Sequence, residues 1–365
     1  MSSPWSPVWS GLSYRSPASA AEGCRVGWGV RCHDLAELMK FRIVLMVIFT
    51  ASVAYWLGID PTLGFTHEHL SRWCWMSLGI GASAAAACAW NQVLERDVDR
   101  RMARTRHRPL AAQRFSWKLT ACGSTLLAVA SWLLLVRFIN PLTAYLTAFT
   151  ALTYVAVYTP LKRVTPLCTS LGAIPGAMPP VLGWTAAGQP CDEMAAVWFG
   201  ILFLWQFPHF LAIAWLYREQ YHHAGLKMLP VPLQVRGVPS MADDARHRTE
   251  VCREPLPGVT GLLAATYALS WLAVCLWPIR LGRAGLLYLI VALVVGIAYV
   301  GASLALSVRE NHQQARRLLW TSLWVLPLLL FALTLDHVRG LSAAWTNYSS
   351  STTITQQFVE SHRKP

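Results

Sequence analysis

Residues 91–110 read N-Q-V-L-E-R-D-V-D-R-R-M-A-R-T-R-H-R-P-L, and the interpretation of the chain turns on them. They follow the apolar segment 73–90, so they lie where a membrane helix reaches water. Each helical residue turns by about 100°. With Asn91 at zero, Glu95 falls near ~40°, Asp99 near ~80° and Gln92 near ~100°, so these four side chains share one face, while Asp97 falls on the far side. Hard divalent cations take oxygen ligands, and Mg²⁺ is commonly shared between one or two carboxylates and a substrate phosphate. Asn91, Glu95 and Asp99 are therefore candidate metal ligands. The arginines that follow, Arg100, Arg101, Arg104, Arg106 and Arg108, carry guanidinium groups suited to phosphate oxygens. Oxygen ligands followed by guanidinium groups suit an Mg²⁺-bound diphosphate at a membrane surface. A second reading stays open, because charged helix ends and clustered arginines also mark the cytoplasmic rim of ordinary spans.

Composition sets the class. Of 365 residues, 55% are hydrophobic and 13% charged, and the mean hydropathy is +0.38. Soluble domains average about 25% charged residues, so the pattern predicts an all-α integral membrane protein. Nine runs are long enough to cross ~30 Å of hydrocarbon: 41–59, 73–94, 118–136, 141–158, 167–187, 194–217, 258–279, 284–306 and 318–336. With the amino terminus in the cytoplasm, 24 of the 31 Lys and Arg residues fall on the cytoplasmic side and 7 on the other. That bias accounts for the net charge of +13 as topology and removes any need for a nucleic-acid partner. It also places residues 91–110, Lys162–Arg163 and the loop 217–257 on one side.

The nine cysteines form no C-x-x-C pair and most fall inside spans, so they read as small core residues in a reducing compartment. Residues 1–34 read as a disordered extension. A bacterial tail is the reading, since such compositions are common in tails that never order, with a mitochondrial transit peptide as the alternative that an acid-poor, Arg- and Ser-bearing leader allows. One membrane domain is predicted over 35–338, with a variable cytoplasmic loop at 232–257 and a disordered tail at 339–365. Lys40 and Arg42 read as interface anchors of the first span.

Two further stretches carry information. Between residues 172 and 183 lie Gly172, Pro175, Gly176, Pro179, Pro180 and Gly183. Broken backbone at membrane depth is tolerated where it is buried or lines a cavity, so this segment reads as a cavity wall. The segment 205–210, W-Q-F-P-H-F, places Gln206 and His209 inside an apolar span. Intramembrane ionisable groups tend to face an interior site. His209 can be a hydrogen-bonded core histidine, a kink-stabilising one, a haem ligand or a proton carrier.

Three blocks go beyond generic chemistry. N-Q-x-x-E-x-x-x-D-x-x-M-x-R-T-x-x-R-P-L at 91–110 resembles the first motif of the UbiA-type intramembrane prenyltransferases. Y-T-P-L-K-R at 158–163 with G-A-I-P-G-A-M-P-P-V-L-G-W at 172–184 is similar to the protohaem IX farnesyltransferase branch of that superfamily. So are W-Q-F-P-H-F, Y-R-E-Q-Y at 217–221 and M-L-P-V at 228–231. The resemblance covers roughly 35–335. It implies nine transmembrane helices in a UbiA-type bundle around a central cavity. It also implies transfer of a farnesyl group from farnesyl diphosphate to a vinyl group of haem B, with hydration, giving haem O and diphosphate. By this resemblance Asn91, Glu95 and Asp99 hold Mg²⁺, with Lys162 beside them in catalysis. Arg104, Arg108, Tyr158, Arg163, Tyr217, Arg218 and Glu219 line the substrate site, and His209 holds or orients haem B. It further implies a bacterial inner membrane, or alternatively the mitochondrial one, and haem A synthase as a partner. Gln220 stands where the family commonly has Asp, which leaves Glu219 as the one carboxylate of that motif. Two other readings are a prenyltransferase acting on an aromatic or quinone precursor and a non-catalytic haem-handling factor.

Overall fold

The computed structural model describes residues 28–59, 66–162, 164–165, 167–223, 233–234, 252–253 and 258–361. Arg163 and nearly all of the 232–257 loop lie outside the described residues. The chain opens with α1 (Trp28–Leu38) and α2 (Phe41–Gly58), then the long α3 (His67–Asp99), α4 (Trp117–Phe138) and α5 (Pro141–Leu152). A π-helical turn (Thr153–Tyr158) and the short α6 (Thr159–Leu161) continue α5. There follow α7 (Cys168–Ala186), α8 (Glu193–Leu216), α9 (Arg218–His223), α10 (Val259–Cys275), α11 (Trp277–Arg280), α12 (Leu286–Val308) and α13 (His312–Ser361). A two-residue antiparallel pair joins Leu233 to Arg253 and Gln234 to Cys252; the rest of the described regular structure is helical.

The helix starts follow capping chemistry. Asn140 accepts from the Thr143 amide at 2.7 Å with Pro141 opening α5, and Asp192 accepts from the Ala195 amide at 3.0 Å ahead of α8. Such caps satisfy amides that no preceding turn can reach.

Seven helical segments are long and apolar enough to cross a membrane: Phe41–Gly58, Trp117–Phe138, Pro141–Leu161, Glu193–Leu216, Val259–Arg280, Leu286–Val308 and His312–His337. The protein is thus multi-pass. The predicted count of nine is not reached on length and composition. The shortfall comes at α3, whose uncharged stretch 73–90 is diluted by Trp, Gly and Ser, and at α7, diluted by Gly, Pro, Ser and Thr. Both are long; α7 is buried along nearly its whole length, and α3 over most of its second half.

Lipid tails are as apolar as leucine, so helices in a bilayer are held by close packing and polar contacts. α2 packs chiefly on α7, α3 on α4, and α10 on α8 and α12. Gly183 sits so near α2 that an added Cβ would fall 1.9 Å from the Ala51 carbonyl oxygen. Trp184, Trp198, Trp271, Tyr55, Tyr288 and Tyr299 are fully buried in the core. Leu119, Leu126, Leu152, Ile297 and Phe331 are exposed, as a lipid-facing surface requires.

Three expectations need correction. The backbone of 172–183 is not broken: α7 runs continuously through Pro175, Pro179 and Pro180, and its glycines admit the Tyr158 ring, Gln206 and the α2 backbone. Residues 28–34, expected in a disordered extension, form the first turns of α1, because Asp34 and Leu38 have partners on the rest of the protein. The segment 339–361, expected as a disordered tail, continues α13; after Gly340 it contains neither Gly nor Pro to stop a helix.

Candidate active site

The last turns of α3 carry the four side chains that the helical wheel puts together. Asn91 is 0% exposed, Gln92 1%, Glu95 8% and Asp99 4%, whereas the Asp97 side chain is 62% exposed. One face points in and Asp97 points out, as the ~100° step requires. A solvated cap would leave all of these acids in water.

Cations from three other segments meet this face. Lys162, just beyond α6, places Nζ 2.7 Å from Glu95 Oε1 and 4.4 Å from the centre of the Tyr158 ring. Arg108 donates from Nη1 to both oxygens of Asp99, at 3.0 and 2.9 Å. Lys40 donates to Asn91 Oδ1 at 2.5 Å and lies 3.3 Å from the Tyr154 hydroxyl. Asn91 in turn donates from Nδ2 to Thr159 Oγ1 at 3.1 Å. The Lys40 anchor role is thereby corrected: it adopts φ 50°, ψ 53°, and that left-handed turn between α1 and α2 sends the ammonium inward.

The π-helical turn is the device that supplies the opposite wall. Its wider spacing lets Thr159 Oγ1 donate to the Tyr154 carbonyl at 2.9 Å and brings Tyr154, Tyr158, Thr159 and Lys162 to one side. Single π turns inside α-helices recur at functional sites.

Charge state follows from this packing. Burial pushes Lys40 down to about 8. Burial alone would raise Glu95, but Lys162 and Lys40 more than offset it, and its carboxyl is held below the ordinary range. Burial likewise opposes the charge on Lys162, yet Tyr158 and Glu95 hold its ammonium above the usual lysine value. The result is an ionised carboxylate and an ionised ammonium side by side, out of bulk water.

Arg104 is held by aromatic faces, 5.0 Å from the Tyr217 ring centre and 5.8 Å from that of Tyr221, with Nη2 3.4 Å from the Tyr221 hydroxyl. Tyr217 and Tyr221, four residues apart, face inward together. Glu219, midway between them, points outward with its side chain 81% exposed, so the structure does not bring it to the acidic face. Arg218 folds back over Trp215, 4.4 Å from its ring centre, and donates to its carbonyl at 3.1 Å. His209 faces α13, its Nδ1 2.8 Å from Ser322 Oγ and its ring stacked on Trp205 at 5.1 Å.

The donor set suits a hard cation. It combines two carboxylates and amide oxygens on one inward face, and the buried Oε1 of Gln92 has no hydrogen-bond partner. Oxygen-only sites of this kind take Mg²⁺ or its relatives. Lys40, Tyr154 and Thr159 joined the site unannounced by the sequence. Lys40 escaped because its inward turn depends on a backbone conformation that lysine rarely adopts. Thr159 lies within the Y-T-P-L-K-R block and Tyr154 four residues before it, and the π turn that aims them has no local sequence signal.

A bundle of apolar helices that delivers buried carboxylates and cations to one membrane edge defines a class, the multi-pass membrane proteins with a polar interior site. Residues 45–326 match the UbiA prenyltransferase family, and the chain belongs to that family. A "Protoheme IX farnesyltransferase" from Koribacter versatilis is 36% identical over 324 residues, covering 86% of this chain and 96% of the relative. Another so named from Solibacter usitatus is 34% identical over 308 residues, covering 83% and 98%. A UbiA homolog from Archaeoglobus fulgidus bound to DMAPP and Mg²⁺ superposes with a TM-score of 0.53 at 14% identity, covering 81% of this chain and 99% of that one, a likeness of fold.

Proposed function

We propose that this protein transfers the farnesyl group of farnesyl diphosphate to a vinyl group of haem B. The observation that carries the reading is the inward face of Asn91, Glu95 and Asp99, met by Lys40, Lys162 and Arg108. The choice of haem B as acceptor is supported by the relatives named protoheme IX farnesyltransferase.

Asn91, Glu95 and Asp99 are the residues to hold Mg²⁺, which when bound screens the diphosphate charge. Lys162, Arg108 and Arg104 neutralise the diphosphate oxygens as the C–O bond to the farnesyl carbon breaks. Fixed cations aimed where charge develops stabilise a leaving group without reorganisation. Tyr158 and Tyr154 present aromatic faces and exclude water near the allylic cation. The terminal vinyl carbon takes the farnesyl group, and the inner carbon is left cationic. Water adds there, one proton leaves, and haem O and diphosphate are the products. His209 Nδ1 is engaged by Ser322, so its contact with haem runs through Nε2.

The bundle is proposed to have nine crossings around a central cavity, with α3 and α7 as the two further crossings. The Lys and Arg bias supports a cytoplasmic amino terminus; a bacterial inner membrane, with haem A synthase taking the product, is the proposed setting. The test is product analysis by mass spectrometry with purified protein, farnesyl diphosphate, Mg²⁺ and either haem B or an aromatic acceptor. A haem gaining one farnesyl unit and one water supports the proposal. Prenylation of the aromatic acceptor alone moves the protein to another branch of the family, and haem binding without diphosphate release makes it a haem-handling factor.

A further inference from the structure

Asp34 is a buried acid at the edge of the bundle, 5% exposed, on a helix that the composition gave no reason to expect. Arg114 meets it fork to fork: Nε donates to Oδ2 and Nη2 to Oδ1, both at 2.8 Å. Two parallel charge-assisted bonds fix direction as well as distance. His33, Asp34 and Glu37 lie close together; Arg114 also approaches Glu37 Oε2 at 3.8 Å, and Glu37 faces His107 at 3.4 Å. This cluster joins two segments.

Those segments are α1 and the loop 100–116, and each delivers one cation to the site. Six residues after Asp34, Lys40 enters at Asn91. Six residues before Arg114, Arg108 reaches Asp99. The Glu37 and Leu38 carbonyls accept from Gln92 Nε2 at 2.8 and 3.0 Å, and Leu38 packs with Ala89, Val93 and Leu110. Lys40 and Gln113, at φ 50° and 58°, are the two non-glycine residues with left-handed backbone among those described. Gln113 adjoins Arg114, and Lys40 closes the helix that carries Asp34. Such conformations persist where surrounding structure over-determines them, and they gather at functional sites.

We propose that the Asp34–Arg114 pair is a clasp that positions Lys40 and Arg108 together on the diphosphate side of the acidic face. Asp34 and Arg114 are positioning residues, and the inference rests on the reading of that face as a prenyl diphosphate site. Without the clasp, α1 and the loop part, and both cations lose their aim at once.

The test measures the Kd of full-length, detergent-purified protein for a fluorescent farnesyl diphosphate analogue with Mg²⁺, beside thermal stability. D34N and R114Q should each weaken binding by about tenfold, and R114K, which keeps the charge and loses the fork, by less. The double variant should bind no worse than either single one, as for residues acting as a unit. K40M should weaken wild type by about tenfold and the R114Q background by less than about twofold, because Lys40 is already misplaced there. Should R114Q fail to fold, the same comparison is made in R114K, where the K40M effect should shrink. Wild-type Kd in both single variants, or a K40M effect that simply adds, overturns the clasp. The readout does not involve the acceptor, so failure of haem turnover in wild type would sink the functional reading and leave this one standing.

Discussion

Lys162 and Glu95 are 67 residues apart in sequence and 2.7 Å apart in space. Their contact ties the end of the α5–π–α6 segment to the end of α3, and Asn91 with Thr159 ties the same two segments one turn deeper. An acid and a base out of water are costly alone and stable together, so each holds the other ionised. That arrangement keeps a carboxylate ready for metal and an ammonium ready for diphosphate in one place.

Removing one member should therefore be severe. Glu95→Gln strips a metal ligand and leaves Lys162 without its carboxylate, and farnesyl transfer should fall by at least about a hundredfold in steady-state assays. Asp97→Asn, two residues on but on the solvent side with a side chain 62% exposed, should stay within about twofold of wild type. Equal loss in both variants would mean that the face of α3 has no special role.

The pH dependence should trace to Lys40. It titrates at about 8, so it is charged at pH 7 and largely neutral at pH 9. Raising the pH through this window should raise KM for farnesyl diphosphate several-fold, and the profile of Lys40→Met should be flat. Its stability effect has the opposite sense. Between about 8 and the ordinary 10.5 the unfolded chain binds more protons at this lysine than the folded one, so its contribution to stability rises with pH there. Below that window, the buried charge is a standing cost. Melting temperatures of wild type and Lys40→Met across pH 7–10 check both signs.

Packing gives a contrasting pair. At Gly183 an added Cβ would lie 1.9 Å from the backbone oxygen of Ala51, and backbone cannot swing aside. Gly183→Ala should separate α2 from α7 and cost about 3 kcal/mol or more, seen as a large fall in melting temperature. Gly123 in α4 has open space around it, and Gly123→Ala should be neutral or stabilise by up to about 1 kcal/mol.

Most of the bundle was legible because membrane helices announce themselves by length and apolarity, and the boundaries of α2, α4, α8 and α12 fall within two residues of those read from the sequence. The inward face of α3 was legible too, since four residues on one regular helix need only the 3.6-residue period. What escaped depends on other segments. The direction of Lys40 is set by a left-handed turn, and the alignment of Tyr154 with Thr159 by a π turn. Asp34 and Arg114 are 80 residues apart, and neither has a periodic neighbour to mark it. The prolines of α7 misled for a related reason. They read as breaks, but neighbouring helices hold the backbone on course, and the glycines between them serve close packing.

The most direct test of the account is the effect of Mg²⁺ on binding of farnesyl S-thiolodiphosphate, which is not turned over, measured calorimetrically for wild type, Glu95→Gln and Asp99→Asn. Mg²⁺ should tighten binding to wild type by at least about tenfold, or about 1.4 kcal/mol, and have little effect on either variant. Binding that is indifferent to Mg²⁺ in wild type, or equally Mg²⁺-dependent in all three proteins, would contradict it.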